Sequence, residues 1–380
     1  MNGPFAVFHV DSERALKGGE RQLLYLAFQL RALGHWNCIV CRKGSQLDIA
    51  GRKAGFDVMY LPFLFEWDPL SALMLRGQIM LRQRPGGVVI HAHSSHAAAV
   101  SFMAAKAGFA RRIVSRRDEY PLSGSASARM KYASAHKVVA ASENIRKMLL
   151  KSGVPQPGVE LVLDCIPETG FPWDDDGLDK FRAAARQRLF SELDIPPDSF
   201  CVGAITGFES QRDPLTFVRA VPLVLQEVPW THFVISGSGP LLGEIRRLAL
   251  ELKVPHRLHV IGNYEEPLAL MAAFDVLSVA SRGEGIGGSV LESMSAGTPV
   301  VSVRGACAQE IISDGEDGFM VNPSSPAELA RIIAKLLKSP ELCRALRGRG
   351  FQRRKRFLSK AAAERMVEIY GENNPCPHSA

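Results

Sequence analysis

The chain has 380 residues, 46% of them apolar, and a net charge of +7, enough apolar material for two ordinary cores rather than one. No apolar run reaches the roughly 18 residues of a spanning helix, the start lacks a signal-peptide pattern, and seven scattered cysteines argue for a reducing compartment over a disulfide framework. Residues 1–165 carry 22 Lys and Arg against 12 Asp and Glu, a net of +10, while the remainder is slightly acidic.

Phe5–Val10 reads as a strand, and Lys17-Gly18-Gly19-Glu20 separates it from an amphipathic helix over Arg21–Leu33 that stops at Gly34. A glycine turn at the carboxyl end of a strand is where open parallel sheets receive ligands, although the GxGxxG of a dinucleotide site is absent. Further strands are predicted at Cys38–Cys41, Val58–Leu61, Val88–His91, Ile113–Ser115 and Lys137–Ala141, with helical stretches between several of them. Such alternation implies a parallel sheet covered on both faces. Cys38 and Cys41 form a literal CxxC, but residues three apart on a strand face opposite ways and no second pair completes a metal site, so they read as core cysteines.

Pro69–Arg84 is apolar apart from Arg76, Arg82 and Arg84, and reads either as a plain domain helix or as a basic helix on a membrane surface. From Leu70 to Arg117 there are eight basic residues and no acidic one, which either turns the first half toward an anionic partner or is a solvated basic face. No recognition-helix, zinc-finger or aromatic RNA-binding signature accompanies that charge, so nucleic acid is not the expected partner. His91, His93 and His96 suggest a metal cluster, yet no nearby carboxylate or cysteine completes a coordination shell. Arg116 and Arg117 either meet an anionic substrate or form structural ion pairs. Ser142 and Glu143 suit the cap of a helix over Ile145–Ser152.

Between Cys165 and Ser199 the composition shifts, with prolines at 167, 172, 196 and 197 around an acidic turn and a helix over Leu178–Leu193, marking a domain junction. Asp174-Asp175-Asp176 contains a literal DxD, but ahead of a helix its charges read as complements to the helix dipole. The second half repeats the logic of the first: a strand over Phe200–Ile205, a helix over Leu215–Val228, a strand over His232–Ser236, a Gly237-Ser-Gly239-Pro turn, a helix to Leu252, and strands at His259–Gly262 and Phe274–Ala280. The glycine turn passes a ligand or is an ordinary tight turn. Helices follow at Pro326–Lys338, Pro340–Gly348 and Phe357–Tyr370, and the tail from Pro375 is expected to be disordered.

Ser281 to Glu310 stands apart. Gly283, Gly285, Gly287 and Gly288 join a buried strand to a helix over Ser289–Ser295, and their amides with the helix N-terminus suit a phosphate. Glu284 and Glu292 bracket the loop. A carboxylate accepts from two vicinal hydroxyls at once, so the pair fits a nucleotide carrying a sugar. Ser289-Val-Leu-Glu292 equally matches a capping box, and Glu284 equally a solvated loop residue.

This segment resembles the signature of retaining glycosyltransferases of family 4: two glutamates separated by seven residues, then the run Glu292-Ser-Met-Ser-Ala-Gly-Thr-Pro-Val-Val301. The resemblance implies an α/β protein of the GT-B class, two Rossmann-like doubly wound domains facing each other across a cleft. Residues 1–168 would form the acceptor side, residues 169–355 the nucleotide-sugar side with 169–199 as junction, and residues 356–372 a last helix crossing back to the first domain. It further implies that Glu284 faces the donor sugar and acts with Arg212 in catalysis, and that Glu292 meets the ribose. Gly237, Gly239, Gly287, Gly288 and Ser289 would line the nucleotide, and Gly18, Gly19, Arg116 and Arg117 the donor phosphates or the acceptor.

The activity so implied is transfer of a sugar from a nucleotide-sugar donor to a glycan or lipid-linked acceptor in cell-envelope or polysaccharide synthesis. It would take no metal and no cofactor and would run in the cytoplasm; the charge of the basic first domain adds the expectation of contact with the inner face of the membrane. Two departures stand out. Gly207 occupies the place of the family's first phosphate-binding arginine, with Arg212 in the place of its lysine, and Asp164-Cys-Ile-Pro167 replaces the usual Asn-Gly-(Ile/Val)-Asp. The missing cation leaves an alternative: a GT-B binding or partner subunit impaired in transfer.

Overall fold

The computed structural model describes residues 3–16, 18–82, 84–105, 110–118, 122, 126–156, 158–167, 175–280 and 288–372. The chain divides into two compact units, Met1–Pro167 with Leu358–Ala380, and Glu168–Phe357.

In the first unit β1 (Ala6–Val10), α1 (Gly18–Ala32), β2 (Trp36–Cys41), α2 (Gln46–Lys53), β3 (Asp57–Tyr60), α3 (Pro69–Leu81), β4 (Val88–Ala92), α4 (Ser95–Ala105), β5 (Arg111–Arg116), α5 (Ala126–Tyr132), β6 (Lys137–Ala140), α6 (Glu143–Lys151) and β7 (Val159–Leu161) succeed one another. The strands form one parallel sheet in the order β3-β2-β1-β4-β5-β6-β7. β1, β4 and β6 are buried along their whole length, which is why, apart from His9, His91 and Lys137, they read as apolar runs rather than alternating ones. Local chemistry sets the helix starts. Ser45 Oγ accepts from the Asp48 amide at 3.2 Å, Asp68 accepts from the Leu70 amide at 3.0 Å ahead of Pro69, and Ser142 Oγ accepts from the Ile145 amide at 3.0 Å, the last as expected.

The second unit runs through α7 (Asp175–Glu192), β8 (Phe200–Ile205), α8 (Pro214–Glu227), β9 (Thr231–Ser236), α9 (Leu242–Glu251), β10 (Leu258–Ile261), α10 (Pro267–Ala272), β11 (Val276–Val279), α11 (Gly288–Ser295), β12 (Val300–Val303), α12 (Ala306–Ile311), β13 (Phe319–Val321), α13 (Pro326–Leu337) and α14 (Pro340–Arg353). Its parallel sheet has the order β10-β9-β8-β11-β12-β13. Counted within its own unit, that is third, second, first, fourth, fifth, sixth, the order also seen in six strands of the first sheet and the one that defines a dinucleotide-type doubly wound fold. Phe217, Val221 and Val224 of α8 pack with Leu329, Ile333 and Leu336 of α13 in one core cluster, while Leu189 and Phe190 of α7 join Met271 and Phe274 in another.

Three strands fall outside the expected set. β7 carries Glu160, a poor strand residue, held by ion pairs to Lys137 and Arg365 that only the fold supplies. β12 and β13 are four and three residues long, each squeezed between turns. β11 begins two residues later than expected, because Phe274 still closes the turn after α10 through its amide bond to Met271 O.

The last helix, α15 (Ser359–Gly371), belongs to the first unit. Ala363, Met366, Ile369 and Tyr370 join Phe5, Val7, Leu26 and Leu30 in one core cluster, and Gln29 Nε2 donates to Ser359 Oγ at 3.0 Å. The expected disordered tail from Pro375 lies outside the described residues, and no helix among those described is long and apolar enough to cross a membrane.

Candidate functional site

In each sheet the chain leaves the first and fourth strands in opposite directions, which makes their carboxyl ends the switch point where sheets of this kind bind ligands. In the second unit those strands are β8 and β11. The loop after β8, Thr206 to Glu209, is laced to the turn after β9: the Thr206 amide donates to Ser236 O at 3.0 Å, Phe208 to Ser238 O at 2.9 Å, and Leu241 to Phe208 O at 2.9 Å. Gly237 and Gly239 are needed for this closeness. A Cβ on Gly239 would sit 2.8 Å from Phe208 C and O, and one on Gly237 would overlap Thr206 O. Packing therefore accounts for both glycines, whatever else passes over them.

Arg212 ends a 3₁₀ turn over Ser210–Arg212, its amide donating to Glu209 O at 3.0 Å. Asp213 then takes a left-handed conformation (φ 44°) and caps α8 through the Thr216 amide and hydroxyl. At Gly207 the room for a side chain is filled by the carboxylate of Glu209. The position that the sequence resemblance matches to the family's arginine thus has an anion beside it.

The loop after β11 holds Glu284 and Gly287, which lie outside the described residues. Gly288 is the first residue of α11. Ser289 is thus inside the helix rather than ahead of it, and among the described residues its buried Oγ has no hydrogen-bond partner, so Ser289 does not cap the helix. Glu292 is buried on the same helix. The remainder of the run has structural duties. Ser295 Oγ donates to Leu291 O at 2.8 Å, Ser293 Oγ to Thr298 O at 3.0 Å, and Gly297 (φ 63°) turns the chain out of the helix. Thr298 Oγ1 donates to Met271 O at 2.7 Å and accepts from Arg182 at 2.6 Å.

In the first unit the switch lies between β1 and β4, where His9 and His91 stand side by side in register. One ring nitrogen from each of His9, His91 and His93 lies within 4.8 Å of the other two, the one such metal-compatible group among the described residues, and exposed His96 is not part of it. All six ring nitrogens are engaged. Asn37 Oδ1 can only accept, so His9 Nε2 carries the proton at 3.0 Å. His9 Nδ1 then accepts from His93 Nε2 at 3.2 Å, and His93 Nδ1 from Arg117 at 3.3 Å. His91 bonds Tyr370 Oη at 2.8 Å and Ser115 Oγ at 2.7 Å. Burial holds all three rings neutral, pushing His9 down to about 4 and the other two well below the usual imidazole range.

Arg117 also pairs with Asp164 at 3.0 Å, and Arg116 with Asp118 at 3.4 Å beside Tyr132. Both arginines thus have local partners as well as their expected substrate role. Asp11, just past β1, is buried and accepts from the Glu13 amide at 2.7 Å; burial pushes its carboxyl up to about 7. Gly18 opens α1, where an added Cβ would meet nothing within 4 Å, and at Gly19 it would meet only Arg117 Cδ at 3.8 Å. Unlike Gly237 and Gly239, these two are not demanded by packing.

The other motifs resolve as structure. Cys38 and Cys41 are buried on β2, with thiols pushed up by burial to about 12 and about 11. Asp174 lies outside the described residues, α7 starts at Asp175, and Asp176 pairs with Lys180 one turn on at 2.7 Å. His9 and Asp11 escaped the sequence because nothing marks them along the chain; only the strand order brings them to the switch.

A family profile described as Glycosyl transferases group 1 matches residues 196–339, and one described as Glycosyltransferase Family 4 matches residues 16–163. The chain belongs to the group 1 glycosyltransferases. Among curated relatives of this family, the lipopolysaccharide core biosynthesis glycosyltransferase LpsE of Rhizobium meliloti is 30% identical over 43% of this chain and 46% of its own. EpsD of Bacillus subtilis, named as a glycosyltransferase, is 29% identical over 49% of each. The matches span about half the length of these relatives. Among solved structures, a glycosyltransferase from Rickettsia africae superposes with a TM-score of 0.82 at 19% identity, over 98% of this chain and 100% of that one. Anabaena HepE in complex with UDP and glucose gives 0.81 at 16% identity, over 95% and 98%. At these identities the likeness establishes the GT-B fold alone.

Proposed function

We propose that this group 1 glycosyltransferase moves a sugar, with retention, from a nucleotide-sugar donor to a glycan or lipid-linked acceptor of cell-envelope or polysaccharide synthesis, working from the cytoplasm. The second unit holds the donor. Gly237, Gly239, Gly287, Gly288 and Ser289 surround the nucleotide, Glu292 accepts from the ribose, Glu284 meets the sugar, and Arg212 faces the leaving diphosphate. The first unit receives the acceptor beside Gly18, Gly19, Arg116 and Arg117.

Ser289 carries this reading. A buried hydroxyl without a partner is uncommon, and this one, unpartnered among the described residues, lies in the first turn of a helix that follows a glycine-rich sequence at the switch point of a doubly wound sheet. A phosphate oxygen supplies the partner it lacks, at the helix end that favours anions. HepE was crystallised with UDP and glucose, which makes uridine nucleotides the first donors to try.

In the reaction the bond from the anomeric carbon to the diphosphate oxygen breaks, and the acceptor oxygen bonds that carbon from the same face. The acceptor's proton passes to the departing phosphate. Arg212 and the loop amides stabilise the charge that develops there, so catalysis is electrostatic and uses no metal ion or cofactor. Release of nucleoside diphosphate from a panel of nucleotide sugars and acceptors tests the reading. Ser289→Ala and Glu292→Gln are expected to weaken donor use while leaving the unfolding temperature in place. An absence of both turnover and nucleotide binding overturns it.

The Glu209 carboxylate at Gly207 favours a second reading, a subunit of the same fold that binds its ligands and has lost transfer. Nucleotide binding without release from any donor is its signature.

A further inference from the structure

Fourteen large apolar side chains are exposed among the described residues, and seven of them lie between Leu64 and Leu81. Two, Leu64 and Phe65, precede α3; the others, Leu70, Leu73, Met74, Met80 and Leu81, are on it, with Leu73 at 69% and Leu81 at 74% exposure. At about 100° per residue these five and Gly77 share one arc of roughly 120° along the whole helix. Ser71, Ala72, Leu75 and Ile79 form the opposite, buried face. α3 is therefore apolar on both sides: one face packs into the first unit and the other faces solvent.

The surroundings of the outer face are basic. α3 has no acidic residue, Arg76 borders the stripe, and exposed Arg82 and Arg84 follow its last turn. No acidic residue occurs between Leu70 and Arg117. Asp68, just ahead, is buried as the helix cap, and Glu66 is paired with Lys131. Trp67 Nε1 donates to Ser127 Oγ at 3.2 Å, which ties α5 to this loop and brings exposed Arg129 and Met130 one turn on.

We propose that the outer face of α3, with Leu64 and Phe65, is a docking surface for an anionic lipid bilayer, the leucines and methionines entering the acyl boundary while Arg76, Arg82 and Arg84 meet headgroups. An apolar patch this continuous marks an interaction site in a soluble domain. A protein interface of useful size carries about one hydrogen bond per 100–200 Å², and the stripe itself offers no side-chain donor or acceptor, Arg76 and Gln78 standing only at its two borders. Hydrocarbon asks for none. Flanking arginines suit the negative surface potential of a bilayer, as in helices that lie in the membrane interface. The proposal goes beyond the transfer reaction and does not depend on it.

Sedimentation of the full chain with extruded vesicles tests it. The wild type is expected to pellet with vesicles of phosphatidylcholine and phosphatidylglycerol, less with phosphatidylcholine alone, and less as salt is raised. The triple variant L70Q/L73Q/L81Q alters only exposed positions; it is expected to keep its helical content and to lose about tenfold or more of the partitioning. The pair Arg82→Gln and Arg84→Gln is expected to erase the preference for anionic vesicles. Three results overturn the proposal: no pelleting with either vesicle, undiminished pelleting of the triple variant, or a wild-type dimer in solution that this variant converts to monomer. No nucleotide sugar enters the experiment, so its failure and failure of the transfer reading are separate events.

Discussion

Tyr370 and His91, 279 positions apart, share a hydrogen bond of 2.8 Å in the core of the first unit. The bond fastens α15 to β4, and Ser115 satisfies the other nitrogen of the same ring. Tyr370→Phe keeps the ring and removes the partner, leaving a buried imidazole nitrogen unpaired. The expected loss is about 1–3 kcal/mol in denaturant unfolding of the first unit, with its slope unchanged. Ending the chain at residue 357 is far more severe, because it strips Ala363, Met366 and Ile369 from the cluster around Phe5, Val7 and Leu30. That truncation is expected to abolish cooperative unfolding of the unit.

A second prediction concerns pH. The Asp11 carboxyl is raised from 3.8 to about 7 by burial, with Glu20 and Glu13 adding to the effect and the Glu13 amide and Arg117 opposing it. A raised acid pKa means that the folded state holds a proton the unfolded chain has released, so stability is lost as pH climbs from about 4 to about 7. The full cost of the ionised form is on the order of 4 kcal/mol. His9, lowered to about 4 mainly by burial, works the other way across much of the same range and masks the effect in the wild type. The comparison with Asp11→Asn isolates it. The variant's stability advantage is expected to grow between pH 4 and pH 7 and to stay level above, read by denaturant unfolding at each pH; an advantage independent of pH sinks the assignment.

These residues also show what a sequence can and cannot reveal. β1, β4 and β8 were legible because a strand covered on both faces is apolar at nearly every position, His9 and His91 being the exceptions in β1 and β4. β7 was not, since Glu160 is tolerated there only through Lys137 and Arg365, two cations that arrive from elsewhere in the chain. Glu292 stood out in the sequence because its spacing from the glycines is local, and the structure puts it, buried, on α11, while Gly283, Gly285 and Gly287 lie outside the described residues. His9 and Asp11 were not: His9 meets His93 across 84 positions of chain, a meeting set by strand order rather than by any interval along the sequence. Ser289 was ambiguous for a different reason. Its spacing to Glu292 fits a cap, and only the helix starting one residue earlier, with the hydroxyl unpartnered, separates the two readings.

Glycine identity gives a third prediction by contrast within one unit. At Gly239 (φ 151°) a Cβ would press on the Phe208 backbone, whereas at Gly243 in α9 it would meet nothing within 4 Å. Gly239→Ala is expected to cost roughly 1–3 kcal/mol through strain in the paired loops. Gly243→Ala is expected to gain up to about 1 kcal/mol from helix propensity. Calorimetry of the second unit's transition should therefore move in opposite directions for the two variants, by about 2–4 °C per kcal/mol.

The last prediction tests whether the chain transfers or only binds. The Glu209 carboxylate fills the space beside Gly207, but it is the far end of a flexible side chain and can give way to a larger residue. Gly207→Arg alone restores the missing cation and at once offers it an anion 2 residues away, so Glu209 and the donor diphosphate compete for the guanidinium. Gly207→Arg combined with Glu209→Gln removes the competitor. A charge-assisted hydrogen bond to phosphate contributes about 1.5–3 kcal/mol, which corresponds to a factor on the order of ten to a hundred in rate. The double variant is expected to release nucleoside diphosphate faster than the wild type by that factor, with Gly207→Arg alone falling between. If neither variant turns over any donor while both bind nucleotide, the cation was not what transfer lacked, and the binding subunit becomes the better description.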